Sequence, residues 1–74
     1  MSEEHSQEIK RRFGERVREL RKQKGLSQEM LALVSNLDRT YIGGVERGER
    51  NISLINIHKL ADALNIPVKD IFDE

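Results

Sequence analysis

Apolar residues recur along this chain at the spacing of a helix. The first amphipathic stretch spans residues 7–24, and its buried stripe consists of Ile9, Phe13, Val17 and Leu20. Later apolar runs predict helices at residues 27–34, 39–47, 53–64 and 68–72. Because no segment alternates apolar and polar residues as a strand does, the pattern predicts one all-α domain over residues 1–74, with residues 1–7 as a flexible tail.

Capping residues mark the ends of these helices. Ser27, Asp38 and Ser53 are good N-caps, and the Asp38 carboxylate is expected to accept hydrogen bonds from the backbone amides that follow it. Gly25 and Gly48 are natural helix stops. The second helix is short and is expected to be mostly buried, since five apolar residues follow one another within it.

A break of three residues joins the second and third helices, which is the geometry of a helix-turn-helix. Ala32 is small where the two helices must approach each other, and Asn36 is suited to a left-handed backbone in the turn. Ile42 and Val45 point from the third helix into the core. The third helix is therefore in the position of a recognition helix.

The outward face of the third helix carries hydrogen-bonding groups and little apolar bulk. Arginine can bind guanine through two hydrogen bonds, and a threonine methyl can contact thymine. The residues predicted to read DNA bases are Arg39, Thr40, Tyr41 and Gly43. The alternative is that Arg39 and Thr40 are ordinary polar residues at an exposed helix start, and that Tyr41 packs against the domain.

Other polar groups frame this helix and are expected to bind DNA phosphates. They are Gln28, Arg47, Arg50 and Asn51. Two glycines in the middle of the third helix, Gly43 and Gly44, indicate close approach, either to DNA or to another helix of the domain. Arg21 and Glu46 are predicted to form a buried structural ion pair, so Arg21 is not counted among the DNA contacts.

Composition narrows the class of function. Thirteen basic residues balance thirteen acidic ones, so the net charge is zero and only a local basic face, such as the one in the first third of the chain, could attract nucleic acid. The two histidines stand apart, and there is no cysteine. We therefore expect no enzyme activity, no metal and no cofactor. No apolar stretch is long enough to cross a membrane, and a cytoplasmic protein is expected.

A chain of 74 residues buries a small share of its surface, so its fold has a thin margin of stability. Dimerisation with a second copy is the expected source of additional stability. The predicted homodimer interface consists of Leu54, Ile55, Val68 and Phe72. Val68 can instead complete the core of the single chain. A two-fold dimer places two recognition helices about 34–36 Å apart, which predicts a pseudo-palindromic DNA operator.

Two stretches carry a resemblance to a known family. The stretch from Gly25 to Glu29 and the stretch from Ser35 to Gly48 resemble the Cro and lambda-repressor type of helix-turn-helix domain. The extension of the second stretch to Asn51, with residues 53–57, is similar to the controller proteins of restriction-modification systems.

That resemblance implies a bacterial transcription regulator that acts on its own promoter and on that of the endonuclease. It implies a homodimer on double-stranded DNA, with two dimers on one operator, RNA polymerase as a further partner, and no small-molecule ligand. It also implies DNA contacts by Arg39, Thr40, Tyr41 and Arg50. A phage-type repressor, an antitoxin regulator and a protein-interaction adaptor with the same fold remain alternatives.

Overall fold

A computed structural model of the chain describes residues 1–72, and every regular element in that part is helical. The elements are α1 (Glu3–Gln23), α2 (Gln28–Ser35), α3 (Arg39–Glu46), α4 (Leu54–Ala63) and a terminal 3-10 helix (Val68–Phe72). The prediction of an all-α fold is confirmed. The predicted fifth α-helix is instead a 3-10 helix, the form that short helical pieces often adopt.

The helix ends follow local capping chemistry. The hydroxyls of Ser27 and Ser53 accept hydrogen bonds from the amides of Met30 and Asn56 at 3.0 and 3.1 Å, as expected for N-caps. Asn36 has the left-handed backbone predicted for the turn, with φ of 58°. These local interactions fix where α2 and α4 begin and where α2 ends.

Three local features differ from the sequence-based expectation. Residues 3–7, expected in a flexible tail, belong to α1, which is capped by the Ser2 hydroxyl. Asp38 occupies the N-cap position of α3, but its side chain makes no capping hydrogen bond. Helix α2 is not mostly buried, because it packs with one face only. Three of its apolar residues are exposed: Met30, Leu33 and Val34.

The core lies where α1, α2, α3 and α4 meet, and the 3-10 helix closes one side of it through Ile71. Its largest fully buried side chains are Val17, Leu31, Ile42, Val45, Leu60, Leu64 and Ile71. Since both Ile42 and Val45 belong to α3, this helix is held from behind by aliphatic packing, as predicted. Only Arg39 and Thr40, in its first turn, are exposed.

Helix α1 crosses α3 at very short range. A Cβ atom on Gly14 would lie 2.2 Å from the carbonyl oxygen of Val45, so only glycine fits at this position. Gly48, just after α3, is equally constrained: its φ is 76°, and a Cβ there would lie 2.8 Å from Cα of Arg11. These two contacts set the distance between α1 and α3.

Within residues 1–72, no helix combines the length and apolar character needed to cross a membrane. The same part of the chain holds no group of three or more His, Cys, Asp or Glu side chains suited to binding a metal ion.

Candidate nucleic-acid interface

The outward face of α3 begins with two exposed side chains. Arg39 and Thr40 are both exposed, and the Arg39 guanidinium is only loosely associated with Glu29, at 3.9 Å. Their positions are therefore compatible with the predicted reading of bases.

Gly43 is not open to solvent as the sequence pattern suggested. It is buried, because the side chain of Arg47 folds back over it, and a Cβ on Gly43 would lie 3.1 Å from Nη1 of Arg47 and 3.7 Å from Oε1 of Gln28. A base could reach this part of the helix only if the Arg47 side chain moved. Gly43 therefore provides room for Arg47 in the free protein.

A buried ion pair ties α3 to α1. Nε of Arg21 donates to Oε2 of Glu46 at 2.7 Å, and Nη2 donates to Oε1 at 3.0 Å. Nη1 of Arg21 also donates to the carbonyl oxygen of Leu26, and the Glu46 hydrogen bond raises the pKa of Arg21 above its ordinary value. The structural pair predicted from the sequence is thus present, with both side chains buried.

Gln28 adds α2 to this pair. Its Nε2 donates to Oε1 of Glu46 at 3.1 Å, so the side chain is turned toward the ion pair and not toward solvent. One carboxylate, that of Glu46, is thereby bound from two other helices. The predicted phosphate contact of Gln28 therefore starts from a side chain that is engaged within the protein, while its backbone lies at the first residue of α2.

Tyr41 and Arg50 pack together at the other edge of α3. The Arg50 guanidinium carbon lies 5.2 Å from the centre of the Tyr41 ring, which is a cation–π geometry. The Arg50 side chain also covers Gly44, where a Cβ would lie 3.0 Å from Nε of Arg50. Gly44 therefore makes room for an arginine side chain, whereas the sequence indicated close approach to DNA or to another helix. Tyr41 is half-buried, and its hydroxyl accepts a hydrogen bond from Nδ2 of Asn56 at 3.2 Å.

Arg47 follows the last residue of α3 and is exposed. It forms a two-bond ion pair with Glu49, with distances of 2.9 Å from Nε and 3.1 Å from Nη2. The Arg47 hydrogen bond lowers the pKa of the Glu49 carboxyl, and the same contact raises the pKa of Arg47. Asn51, the remaining residue predicted to bind phosphate, is exposed in the loop before α4.

Two arginines in the basic stretch of α1 pair with neighbouring glutamates. Arg11 pairs with Glu8 and with Glu15, and Arg16 pairs with Glu19 at 2.8 Å. Of the basic residues in this stretch, Arg11 and Arg16 thus form ion pairs at the surface, and Arg21 forms a buried one.

The four residues predicted for the dimer interface do not share one environment. Leu54, Ile55 and Phe72 are exposed, by 69%, 65% and 54%. Val68 is half-buried against the core, so most of its side chain serves the single chain. The ring of Phe72 lies 5.4 Å from that of Phe13, centroid to centroid, beside an apolar groove of about 360 Å³.

Sequence reasoning missed three residues that shape this surface: Gly14, Glu49 and Asn56. Gly14 carried a usable signal, because glycine in the middle of a helix is costly and asks for a reason. Glu49 lies two residues after Arg47 and could have been noted as a nearby opposite charge. Asn56 had no signal, since its contact with Tyr41 joins residues 15 positions apart.

Comparisons with known proteins agree with this architecture. The helix-turn-helix family profile matches residues 17–71. Control protein C.MunI from Mycoplasma sp is 44% identical over 68 residues, covering 90% of this chain and 92% of that protein.

Two solved structures have the same fold. The crystal structure of the restriction-modification controller protein C.AhdI from Aeromonas hydrophila has a TM-score of 0.83 and 63% identity, covering 84% of this chain and 94% of that one. The controller protein C.Esp1396I, solved as a tetramer with its natural 35 base-pair operator, has a TM-score of 0.81 and 34% identity, covering 88% and 86% of the two chains. The chain belongs to the helix-turn-helix family and, within it, to the controller proteins of restriction-modification systems.

Proposed function

We propose that this chain is a sequence-specific DNA-binding transcription regulator that uses α3 as its recognition helix. The observation that carries the proposal is the arrangement of α3: Ile42 and Val45 are buried behind it, while Arg39 and Thr40 are exposed at its start. A rigid helix that offers a guanidinium and a hydroxyl can bind base edges in the major groove. The protein acts in the bacterial cytoplasm, on the nucleoid, and catalysis is no part of this function.

The proposed interface makes two kinds of DNA contact, to bases and to phosphates. Arg39, Thr40 and Tyr41 read bases, and Gly43 lets the helix approach the groove once Arg47 has moved. Arg47, Arg50 and Asn51 bind phosphates and set the register of the protein on the duplex. Gln28 contributes its backbone amide at the start of α2, because its side-chain amide is already bound to Glu46.

The regulator works as a homodimer through the exposed apolar side chains of Leu54, Ile55 and Phe72. The related C.Esp1396I is a tetramer on its operator, which supports two dimers on one operator here as well. The controlled promoters are those of its own gene and of the endonuclease, with RNA polymerase as a further partner. The exposed apolar patch on α2 is the feature that keeps a protein-interaction role as the second candidate.

Substitution of Arg39 tests the proposal. Affinity is measured on the operator footprinted at the protein's own promoter and on a scrambled duplex of equal length. We expect Arg39→Ala to weaken operator binding by about 5- to 150-fold, with a smaller loss on scrambled DNA, because a bidentate base contact discriminates by about 1–3 kcal/mol.

Arg39→Lys is the matched control for charge. Lysine keeps the positive charge but lacks the planar fork, so it should retain scrambled-DNA affinity and still lose discrimination. Equal losses on both duplexes would assign Arg39 to the phosphates, and an unchanged operator affinity with an intact fold would contradict the proposed role of α3.

A further inference from the structure

The edge of Arg47 that is suited to a phosphate is already occupied by a carboxylate of the same chain. Nε and Nη2 of Arg47 donate side by side to the two oxygens of Glu49. A guanidinium binds a phosphate with the same pair of parallel hydrogen bonds. Glu49 therefore satisfies Arg47 in the way that a DNA phosphate would.

The pair lies on the surface that the proposed function turns toward DNA. The Arg47 guanidinium covers Gly43 in the middle of α3, and the Arg47 and Glu49 side chains are 60% and 57% accessible. Because the pair is open to solvent, an incoming phosphate can reach it. The Glu49 carboxylate would at the same time repel the phosphate backbone.

Both partners remain charged near neutral pH. The hydrogen bond from Arg47 lowers the pKa of Glu49, and the positive charges of Arg47 and Arg50 act in the same direction. Protonation of Glu49 is therefore no route to a free Arg47 at neutral pH. The guanidinium is instead released when the exposed ion pair opens or exchanges its carboxylate for another anion.

We propose that Glu49 is an internal competitor for the phosphate that Arg47 binds, and that DNA binding displaces it. This inference rests on the proposed function, in which Arg47 contacts a phosphate. Because binding exchanges a carboxylate for a phosphate, Arg47 strengthens DNA binding less than an unpaired arginine would. A phosphate contact carries no sequence information, so the competition lowers affinity for operator and scrambled DNA by the same factor.

Four variants test the competition: Glu49→Gln, Arg47→Ala, the double variant and Glu19→Gln. Glu19 is the matched control, since it is an exposed glutamate paired with an arginine, Arg16, on α1. Affinity is measured by fluorescence anisotropy over a salt series, on the footprinted operator duplex and a scrambled duplex. Thermal unfolding of each variant checks that the fold is intact.

We expect Glu49→Gln to raise affinity for both duplexes by about 2- to 5-fold, the range that measured exposed ion pairs imply. The slope of log affinity against log salt should steepen by up to about 0.9, the value for one phosphate contact. In the Arg47→Ala background most of this gain should disappear, leaving only the small effect of removing one negative charge, and Glu19→Gln should produce a smaller change than Glu49→Gln.

Other outcomes separate the inference from the proposed function. If Arg47→Ala weakens binding but Glu49→Gln does not strengthen it, the competition is wrong while the phosphate contact stands. If the Glu49→Gln gain persists without Arg47, or if Glu19→Gln matches it, the effect is general charge repulsion and the inference fails. If Arg47→Ala leaves the affinities for operator and scrambled DNA unchanged, Arg47 binds no phosphate, and the proposed competition is wrong as well.

Discussion

The guanidinium of Arg50 rests on the ring of Tyr41, 5.2 Å from its centre, and its side chain covers Gly44 of the same helix. This contact joins the loop after α3 to the first turn of α3. A residue expected to bind phosphate is thus held by a residue expected to read bases. Arg50 is therefore pre-positioned in the free protein by the outward face of the recognition helix.

Tyr41 should stabilise the free protein through two separable interactions. Tyr41→Phe removes the hydrogen bond from Asn56 and should cost about 0.5–1.5 kcal/mol of unfolding free energy. Tyr41→Leu also removes the ring beneath Arg50 and should cost about 0.5–1 kcal/mol more. Denaturant unfolding measures both values. In an Arg50→Ala background the two variants should differ less, and an unchanged difference would show that the ring contact contributes nothing.

Gly14 should tolerate no side chain. Gly14→Ala places a methyl 2.2 Å from the Val45 carbonyl oxygen and should destabilise the protein by about 1–3 kcal/mol, despite the better helix propensity of alanine. Gly43→Ala is the matched control, because its new methyl meets the flexible end of Arg47 and should change unfolding free energy by about 1 kcal/mol or less. Equal effects of the two substitutions in denaturant unfolding would contradict the close crossing of α1 and α3.

The predicted dimer surface can be tested with one charged substitution. Leu54→Glu should weaken self-association by about 150-fold or more, because a two-fold dimer loses two buried leucines of about 1.5–3 kcal/mol each, as measured by sedimentation equilibrium. Leu33→Glu on α2 is the control, since Leu33 is just as exposed, at 74%. If Leu33→Glu dissociates the dimer and Leu54→Glu does not, the dimer interface lies on α2 instead.

The competition by Glu49 should be independent of pH near neutrality. Arg47 lowers the folded-state pKa of Glu49 below its ordinary value of 4.5, so the stabilisation from the pair is present above that ordinary value. It is lost only as the pH falls through the lowered folded-state pKa. The DNA affinity of Glu49→Gln divided by that of the unsubstituted protein should therefore be constant between about pH 6 and pH 8. Histidines titrate in this range, but both proteins carry the same ones. A ratio that falls toward one at the lower pH would mean that Glu49 is already being protonated there.

Sequence predicted the features that depend on neighbouring residues. The caps at Ser27 and Ser53 and the left-handed Asn36 follow from local backbone chemistry, and periodicity indicated which side of α3 is buried. The differences at the site arise from side-chain conformations, which the periodicity of the sequence does not determine. The Arg47 side chain folds back over Gly43, and the Gln28 side chain turns toward Glu46 of α3.

The carboxylate of Glu46 is bound by Arg21 of α1 and by Gln28 of α2. Rotation of α3 about its own axis would break one or more of these bonds and weaken the pairing of a buried charge, which is costly. The angle at which α3 presents its outer side chains is thus decided by residues that need not touch the target. Substitutions on the outward face of α3 can therefore change the DNA sequence that is bound, while the contacts that orient the helix stay the same.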